Sequence, residues 1–306
     1  MDHFTTEYMA FSCKNNGLLC EFILKPYTEN TINSRLHYHF HSTYEIHIPI
    51  SGELKILVED ENITIKPGSV CILPPNSVHY VFDDQSIKRI SFRFALQNID
   101  ETDHDIKNLF LNAFLPMNKV TVIHDCQIYD KYIRHAYENY LLGRPDFMIS
   151  QLLFLALYEL AVEIKPMKSM HYTTGLEHSN ILVAEKIEVF LNSHYNKEIC
   201  LGDLAKSLNL SERQTQRLIK SLFGMSFSLL LNKRRLASAK LLIKTSNYSL
   251  KEIADISGFH DQSYFYRRFT SAVGITPGNY RNEMLKSMNR ETEHIQKENF
   301  QELSEP

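Results

Sequence analysis

The last third of this 306-residue chain contains an internal repeat, and this repeat constrains the fold more than any other feature. Apolar residues at helical spacing in both copies predict two equivalent helical units. Three matching pairs lie 50 residues apart and a fourth lies 49 apart, which predicts a turn one residue longer in the second copy. These pairs are Arg217 and Arg267, Ile219 and Phe269, Gly224 and Gly274, and Ala205 and Ala254.

Helix-capping sequences divide each copy into two short helices. The S-x-x-Q sequence from Ser211 and the S-x-x-E sequence from Ser249 have the pattern of a capping box, which satisfies two backbone amides at the start of a helix. Asp261 is expected to cap the last helix of the second copy. Between the copies, residues 227–244 are predicted to form one longer helix.

Each copy therefore predicts a helix, a tight turn and a second helix, which is the plan of a helix-turn-helix unit whose second helix enters the major groove of DNA. A connecting helix of about 18 residues would be about 27 Å long. Successive major-groove segments on one face of DNA are about 34 Å apart, so both second helices would reach adjacent grooves with some DNA bending. The alternative is a plain helical bundle with a coincidental repeat.

Charge is unevenly distributed along the chain. Residues 181–290 contain 17 Lys and Arg against 9 Asp and Glu, a net charge of +8, whereas the rest of the chain has a net charge of −11. A basic segment attached to an acidic one predicts a polyanionic partner for the basic segment alone. A chance asymmetry is the alternative.

Residues 181–281 resemble the double helix-turn-helix domain of the AraC/XylS family of transcription regulators. The resemblance implies promoter binding, usually with activation of transcription, and RNA polymerase as a partner. The chain departs from the family pattern at Thr215, Ile219 and Cys200. These departures affect the packing of the second helix of the first unit. The second helix of each unit is called its recognition helix below. The residues that carry the resemblance are GFHDQSYFYRRF from Gly258, GITPGNYR from Gly274, Leu204-Ala205, Leu210-Ser211, Arg217, Gly224 to Phe227, Arg234 to Leu236, Ala239, Leu241-Leu242 and Ile253-Ala254.

Helix geometry predicts which side chains of the two recognition helices face DNA, because residues at i, i+3, i+4 and i+7 share one face. By resemblance, Arg217 and Arg267 occupy positions that touch base edges, where arginine binds guanine. Lys220 and Arg268 are expected to contact phosphates. A solvated helix face is the alternative for each residue. The predicted DNA-binding residues are Arg213, Gln216, Arg217, Lys220, Gln262, Ser263, Tyr266, Arg267 and Arg268.

The segment from about residue 18 to residue 95 predicts a β domain. Short runs rich in β-branched residues alternate with Gly, Pro and Asn turn signals. Many short strands at regular spacing predict a sandwich or a barrel. The predicted strands are residues 45–50, 54–59, 63–66, 69–74 and 87–94.

Two stretches of this segment, residues 37–52 and 68–79, resemble the two motifs of the cupin fold. The resemblance implies that four polar residues converge, as they do on one ion in metal-binding cupins; three imidazoles and a carboxylate suit Fe, Mn, Ni or Zn. We predict instead a polar pocket for a small molecule, without a metal or other cofactor. A metal site and a structural role are the alternatives. The four residues are His39, His41, Glu45 and His79.

Arg93 is a fifth candidate ligand-binding residue, because it would bind a hydroxyl or carboxylate group if its side chain pointed inward. It shares one strand face with Arg89 and Ser91, opposite three apolar residues, and the sequence does not fix which face is inward. His37 and His47 are predicted to be surface or strand residues.

Residues 103–114, 128–142 and 146–164 have helical patterns, and Asp146 is the expected N-cap of the third helix. The third helix is apolar on nearly every side, so it is predicted to be buried in its domain or against another chain. Family members carry a dimer-forming helix pair at this place. We therefore expect a homodimer through residues 128–164, with ordinary packing onto the barrel as the alternative.

These patterns predict an α+β chain of two domains. An N-terminal cupin-like β-barrel with a helical dimerisation segment precedes an all-α double helix-turn-helix. The predicted ranges are 1–164 for the sensor and dimerisation domain, 165–179 for a linker, 180–290 for the DNA-binding domain and 291–306 for an acidic tail.

Five scattered cysteines without a C-x-x-C pair indicate a reducing compartment. The first residues lack the basic and apolar regions of a signal peptide, and no apolar stretch is long enough to span a bilayer. The sequence therefore predicts a cytoplasmic protein.

The expected function is a ligand-responsive, sequence-specific DNA-binding regulator that activates transcription of carbohydrate or other catabolic genes. Its expected partners are duplex promoter DNA, a small-molecule effector such as a sugar, RNA polymerase and a second copy of the chain. No enzymatic activity is expected. One alternative is a metal-dependent cupin enzyme fused to a DNA-binding module, and another is a regulator controlled by a partner protein.

Overall fold

The computed structural model describes residues 9–24, 39–58, 61–82, 87–99, 104–164 and 181–286. Strands dominate the described residues up to 99, and helices dominate those from 104 onward, so the expected α+β class is confirmed. The predicted linker and acidic tail lie outside the described residues, and the predicted domain boundaries stay predictions.

The strands of the described residues form two antiparallel sheets. Their bounds are β1 (Met9–Asn15), β2 (Leu18–Leu24), β3 (Tyr44–Ser51), β4 (Leu54–Val58), β5 (Glu61–Ile65), β6 (Val70–Leu73), β7 (His79–Phe82), β8 (Lys88–Asn98) and β9 (Thr121–Ile123). The larger sheet has the strand order β1-β2-β8-β3-β6-β9, and the smaller has the order β5-β4-β7. β1, β2, β7 and β9 are additional to the strands named from the sequence.

Alternation along β3 and β8 separates an apolar face from a polar one. Ile46 and Phe92 pair across the two strands and face a core that helices cover. Glu45 pairs with Arg93 in the same ladder and with Leu73 of β6, which belongs to the apolar cluster shared with the smaller sheet. The face of the larger sheet that carries Arg93 therefore borders the space between the two sheets.

Three helices that come after β8 in the chain cover the apolar face of the larger sheet. They are α1 (Asp105–Phe114), α2 (Arg134–Leu141), which continues the π-helical segment Tyr129–Ile133, and α3 (Asp146–Glu163). Pro145, whose backbone is extended, is the N-cap of α3, and no side chain caps this helix. The prediction that Asp146 is the N-cap is therefore wrong by one residue, and Asp146 lies in the first turn, where its charge favours the helix dipole.

The helical region contains two units joined by a long helix. Its helices are α4 (Ile181–His194), α5 (Leu201–Ser207), α6 (Glu212–Phe223), α7 (Phe227–Thr245), α8 (Leu250–Ile256) and α9 (Gln262–Val273). Both predicted capping boxes, at Ser211 and Ser249, are confirmed, as is the cap at Asp261. α6 and α9 both end at a glycine in the left-handed conformation, Gly224 and Gly274, as their repeat spacing implies.

Each helix-turn-helix unit has its own apolar core. α4, α5, α6 and the start of α7 enclose the first, which includes Ile187, Leu204 and Ile219. The rest of α7, with α8 and α9, encloses the second, which includes Phe265 and Phe269. None of the helices among the described residues combines the length and the apolar character needed to cross a bilayer.

Candidate ligand pocket and nucleic-acid interface

α6 presents a polar outer face and an apolar inner face. Arg213, Arg217 and Lys220 are exposed and Gln216 is half-buried, whereas Ile219 on the opposite side is fully buried. The four residues that the sequence analysis assigned to DNA on this helix therefore share one accessible face. Their spacing on that face is the one expected for a helix that lies in a major groove.

α9 presents a second such face, although its predicted residues differ in exposure. Gln262, Ser263 and Arg267 are exposed, whereas Tyr266 and Arg268 are half-buried. The Tyr266 ring packs edge-on against Phe265, with ring centroids 5.7 Å apart. Tyr266 is thus anchored to the core of the second unit, in addition to any role it has at the outer face.

α7 joins the two units and is 19 residues long, which corresponds to about 28 Å. Arg234 of α7 is buried: its Nε donates a hydrogen bond to Asn192 Oδ1 at 2.6 Å, and its guanidinium lies 4.1 Å from the centre of the Tyr195 ring. Burial lowers the pKa of Arg234 to about 10, so it stays charged near neutral pH. Arg234 therefore fixes α4 against α7 and is not available to DNA.

A buried polar cluster lies between the sheets at the other end of the chain. Nε2 of His41 and Nε2 of His79 lie 2.8 and 3.1 Å from the same Glu45 oxygen, Oε2. The three side chains are almost completely buried. With His39, they place four potential ligand atoms within 4.8 Å of one another. The structure therefore brings together all four residues predicted from the motif spacing.

Local backbone geometry explains why these residues meet. His39 and His79 pair in an isolated antiparallel bridge, in which each amide donates to the carbonyl of the other at 2.9 Å. Directly opposed residues of such a pair hold their side chains side by side, and the two imidazole centroids are 4.2 Å apart. His41 lies two residues after His39 and therefore has the same side-chain direction in extended chain.

The cluster favours an ionised carboxylate beside neutral imidazoles. Burial acts to raise the pKa of Glu45, but the neighbouring His47 and His41 outweigh it and hold that pKa well below its usual range. Burial lowers the pKa of His41, and Glu45 opposes only part of that shift. At neutral pH, Glu45 is therefore negative while His41 is uncharged.

His47 belongs to this cluster, which the sequence analysis missed. Its Nε2 lies 3.4 Å from Glu45 Oε2, and its side chain is buried. Of the two predicted alternatives, a surface residue or a strand residue, His47 is a strand residue of β3, and it faces the interior. Burial lowers the pKa of His47 to about 4. The two-residue spacing from Glu45 along β3 is the signal that would have revealed it. His37 lies outside the described residues.

Arg93 connects the cluster to the DNA-binding half of the chain. Its guanidinium forms ion pairs with Glu185 and Glu188 of α4, the second at 2.5 Å. The other Glu188 oxygen accepts a hydrogen bond from the Ser42 backbone amide at 3.0 Å. All three charged side chains are at least nine-tenths buried, so α4 docks on the β domain through a buried ionic contact.

A second polar contact joins α7 to the β domain. Lys233 Nζ donates a hydrogen bond to the Asn76 carbonyl at 2.8 Å and lies 4.8 Å from the centre of the Phe40 ring. Phe40 itself is packed into the core of the first helix-turn-helix unit. The β domain therefore contacts that unit through both polar and apolar groups.

Two cavities lie at this junction. One, of about 70 Å³, is lined by the cluster residues His39, His41 and Glu45 together with Arg93 and the α4 side chains Glu185, Glu188, Val189 and Asn192. The other, of about 310 Å³, is mostly apolar and includes Ser42, Tyr44, Asn76, Leu96, Ala184 and Leu222 in its lining. Both cavities have walls from the β domain and from the helical region.

α3 has apolar residues on two sides. Leu153 and Leu157 are completely buried in the core of the β domain. On the opposite side, Phe147, Leu155 and Val162 are exposed, with Phe147 71% accessible. An exposed apolar stripe at helical spacing is typical of an interaction surface.

Comparison with known families matches two parts of the chain. Residues 24–106 match the family described as an AraC-like ligand binding domain. Residues 204–283 match the family described as a helix-turn-helix domain. The two stretches together cover more than half of the chain, and they include the cluster, Arg93, α6 and α9.

Individual proteins are also similar to the chain. The chain is 21% identical over 267 residues to the melibiose operon regulatory protein of Escherichia coli (strain K12), which covers 83% of this chain and 85% of that protein. It is 29% identical over 148 residues to the HTH-type transcriptional activator RhaR of Yersinia pseudotuberculosis, covering 47% and 49% of the two chains. Among solved structures, the C-terminal domain of the response regulator yesN from Fusobacterium nucleatum is 34% identical, with a TM-score of 0.31, and the match covers 32% of this chain and 95% of that one.

Proposed function

We propose that this chain, which belongs to the AraC/XylS family of transcription regulators, binds promoter DNA through α6 and α9 under the control of a small effector. The observation that carries the proposal is the contact of Arg93 with Glu185 and Glu188, which joins the ligand-binding region to the first helix of the DNA-binding region. An effector shifts the equilibrium between two domain arrangements only if it binds them with different affinity. A ligand bound between the two domains would contact both of them, so it would bind the docked and the separated arrangements with different affinity.

For DNA, we propose that Arg217 and Arg267 read base edges while Lys220 and Arg268 contact phosphates. The exposed outer faces of α6 and α9 and the net charge of +8 over residues 181–290 support this assignment. Arginine at the first two positions suits the O6 and N7 acceptors of guanine. The other proposed contacts are Arg213, Gln216, Gln262, Ser263 and Tyr266.

We propose a carbohydrate as the effector class and activation as the outcome, with RNA polymerase as the partner and the cytoplasm as the place of action. The relative named for the melibiose operon supports the effector class, and the relative named as an activator supports the outcome. The cavity of about 310 Å³ has the volume of a small-ligand site. The cavity of about 70 Å³ beside Arg93 is smaller than such sites, so His39, His41, Glu45, His79 and Arg93 would act beside the sugar rather than enclose it.

We also propose a homodimer, formed through the exposed stripe of α3. Phe147, Leu155 and Val162 are too apolar and too contiguous for an isolated surface helix. Replacing Phe147 and Val162 with Lys should convert a dimer to a monomer in light scattering, because the buried side of α3 is left unchanged. Lys at the exposed Leu285 is the matched control. A wild-type chain that is monomeric at micromolar concentration would contradict the proposal.

A metal-dependent enzyme is the second candidate function, because three imidazoles and a carboxylate are also the ligands of catalytic metal centres. We favour a regulator without turnover, since turnover would remove the signal and since the curated relatives are transcription regulators. Consumption of a bound sugar by the purified chain, measured by chromatography, would favour the enzyme instead.

The regulator is tested with the full chain and a duplex selected from a random DNA pool. Affinity should fall steeply as salt increases, because phosphate contacts release counterions. Melibiose and a panel of other sugars are then added, and the affinity is measured again. A flat salt dependence, or no selected sequence, would exclude the DNA-binding function.

The ionic contact is tested in the same assay with the double variant Glu185→Gln and Glu188→Gln. The response to an active sugar should be lost while DNA binding without sugar persists, because the variant keeps the shape of α4 and removes its charges. Glu198→Gln, an exposed change at the end of the same region, is the control. An unchanged sugar response in the double variant would show that the effector acts by another route.

A further inference from the structure

The two helix-turn-helix units contact each other directly, beside their connection through α7. Gly258, in the turn of the second unit, lies against the residues that follow α4 in the first unit. A Cβ atom added to Gly258 would be 2.6 Å from the Tyr195 carbonyl oxygen and 2.8 Å from the Asn196 Cα. A change in the angle between the two units would therefore disturb a close backbone contact.

Arg235 of α7 reinforces this contact. Its Nε donates a hydrogen bond to the Tyr195 carbonyl at 2.7 Å, and its Nη2 donates one to the Lys197 carbonyl at 2.9 Å. Carbonyls at the end of a helix lack a partner within the helix, and basic side chains often bind them. The same guanidinium lies 6.0 Å from the centre of the Phe259 ring, which is buried in the core of the second unit. One side chain thus contacts both units.

Asn232, three residues earlier on α7, connects this helix to α9. Its Nδ2 donates a hydrogen bond to the Tyr264 hydroxyl at 3.1 Å. Tyr264 lies in the first turn of α9, directly after Gln262 and Ser263, which we assign to DNA. Residues three apart on a helix are neighbours on its surface, so Asn232 and Arg235 act from the same side of α7.

These two residues lie where the apolar cores of the two units separate along α7. Leu230 and Leu231 belong to the core of the first unit, whereas Leu236 belongs to that of the second. None of the apolar clusters in the described part of the chain is shared by both units. The angle between the units therefore depends on directional hydrogen bonds, which weaken steeply when their geometry changes.

The dimensions of the helical region show why this angle matters for DNA. α7 is about 28 Å long, whereas successive major-groove segments on one face of DNA are about 34 Å apart. The difference of about 6 Å is met either by hinging of the two units or by bending of the DNA. The contacts of Asn232 and Arg235 oppose hinging, so the DNA has to adapt and half-sites at the wrong separation bind weakly.

We propose that Asn232 and Arg235 are positioning residues that determine the distance between the two half-sites that the chain selects. Neither residue belongs to the outer face of α6 or α9, and each acts through the element that it holds. The inference rests on the proposed function, because both recognition helices have to bind one duplex. Two linked binding modules gain affinity only when the geometry of the link fits both sites, so a rigid link produces a spacing preference.

The test uses the full chain and duplexes that carry the two selected half-sites, with spacers up to about two base pairs shorter or longer. Wild type should bind the best spacing about 10-fold or more tightly than the others, because a rigid link fits one separation. The double variant Asn232→Ala and Arg235→Met should reduce that preference to about 3-fold or less. Its affinity for a duplex with a single half-site should be unchanged, since the outer faces of α6 and α9 are intact.

Lys197→Met is the matched control. It removes an exposed positive charge at the same place but keeps the backbone carbonyl that Arg235 binds, so the spacing preference should persist. Arg235→Lys keeps the charge and one donor group, and it should relax the preference part of the way. This milder variant decides the question if circular dichroism shows that the double variant does not fold.

A spacing preference that survives in both Arg235 variants would overturn the proposal, as would a wild-type chain that has no preference. Equal losses on the single half-site and on the paired half-sites would also overturn it, because the variants would then damage one unit rather than the link. A wild-type chain that selects no sequence would refute the regulator itself. A chain that selects DNA but accepts every spacing would refute the positioning role alone.

Discussion

The two helix-turn-helix units share a backbone plan but fill their cores differently. Thr215 and Ile219 of α6 occupy the positions that Phe265 and Phe269 occupy in α9, 50 residues later. In the second unit the two phenylalanine rings pack edge to face, with centroids 5.6 Å apart. In the first unit the Thr215 hydroxyl is buried and has no hydrogen-bond partner among the described residues.

The first unit compensates with contacts from the β domain. Phe40 is buried in its core, and Val78 packs against the same cluster. The core of the second unit contains residues of the helical region alone, as far as the described residues show. Leu57 and Tyr80 of the β domain also contact α7 at Ala237, in a small cluster separate from the second core. The first unit is therefore the one whose core includes β-domain residues, and we infer that docking affects it more directly.

The largest expected difference is in core stability. Phe265→Ala should lower the free energy of unfolding by about 3–5 kcal/mol, because it removes a fully buried ring and leaves a cavity. Thr215→Ala at the matching position should cost about 1 kcal/mol or less, since the deleted hydroxyl forms no bond. Urea titration followed by circular dichroism measures both. Equal losses would contradict the difference between the two cores.

The turns of the two units offer a second contrast. A Cβ atom on Gly258, whose φ is +84°, would lie 2.6 Å from the Tyr195 carbonyl oxygen and 2.8 Å from the Asn196 Cα. Gly258→Ala should therefore lower stability by about 2–3 kcal/mol through strain and collision. Asn209 has a φ of 54° in the first turn and already carries a side chain, so Asn209→Ala should cost about 1 kcal/mol. Similar melting temperatures for the two variants would show that the close approach of the backbone at Gly258 does not destabilise Gly258→Ala.

Sequence reasoning succeeded where structure is local. The capping boxes at Ser211 and Ser249 depend on residues three positions apart, and both formed as expected. The first strand was missed although Asn16-Gly17, with φ values of 45° and 76°, is a strong hairpin signal that places β1 beside β2.

Sequence reasoning ended where contacts are distant. Nothing near Arg93 reveals that its partners are Glu185 and Glu188, more than 90 residues later in the chain. The inward position of His47 depends on which face of β3 is covered. Both faces of this strand carry apolar and polar residues, so the sequence does not show which face is buried. α3 is apolar all round, so the buried Leu157 and the exposed Leu155 are alike in the sequence.

DNA recognition tests whether both units act alike. Arg217→Ala and Arg267→Ala should each cost about 1–3 kcal/mol of binding free energy and relax the preference at one base position. Lys220→Ala and Arg268→Ala should weaken all sequences about equally, because phosphate contacts carry no sequence information. Selection from a random DNA pool compares the four variants. Identical selected sequences for Arg217→Ala and Lys220→Ala would mean that the assigned roles on α6 are wrong.

The smallest expected effect is a gain. Thr215→Val keeps the shape of the side chain and removes the buried hydroxyl that lacks a partner, so it should raise the free energy of unfolding by about 1 kcal/mol. Thr245→Val is the control, since Thr245 is exposed and bonds to the Leu241 carbonyl. A loss of stability in Thr215→Val would indicate that the hydroxyl is satisfied after all.

The buried ionic contact between Arg93 and α4 also determines how readily the junction opens. When an apolar interface separates, the exposed surface is poorly hydrated and the cost rises with its area. When Arg93, Glu185 and Glu188 separate, each ion regains water, and this hydration recovers much of the attraction that is lost. The contact therefore requires a strict geometry, but it adds little to the free energy needed to separate the two domains. Such a junction disfavours misaligned docking of the two domains, and the binding free energy of a small effector is enough to open it.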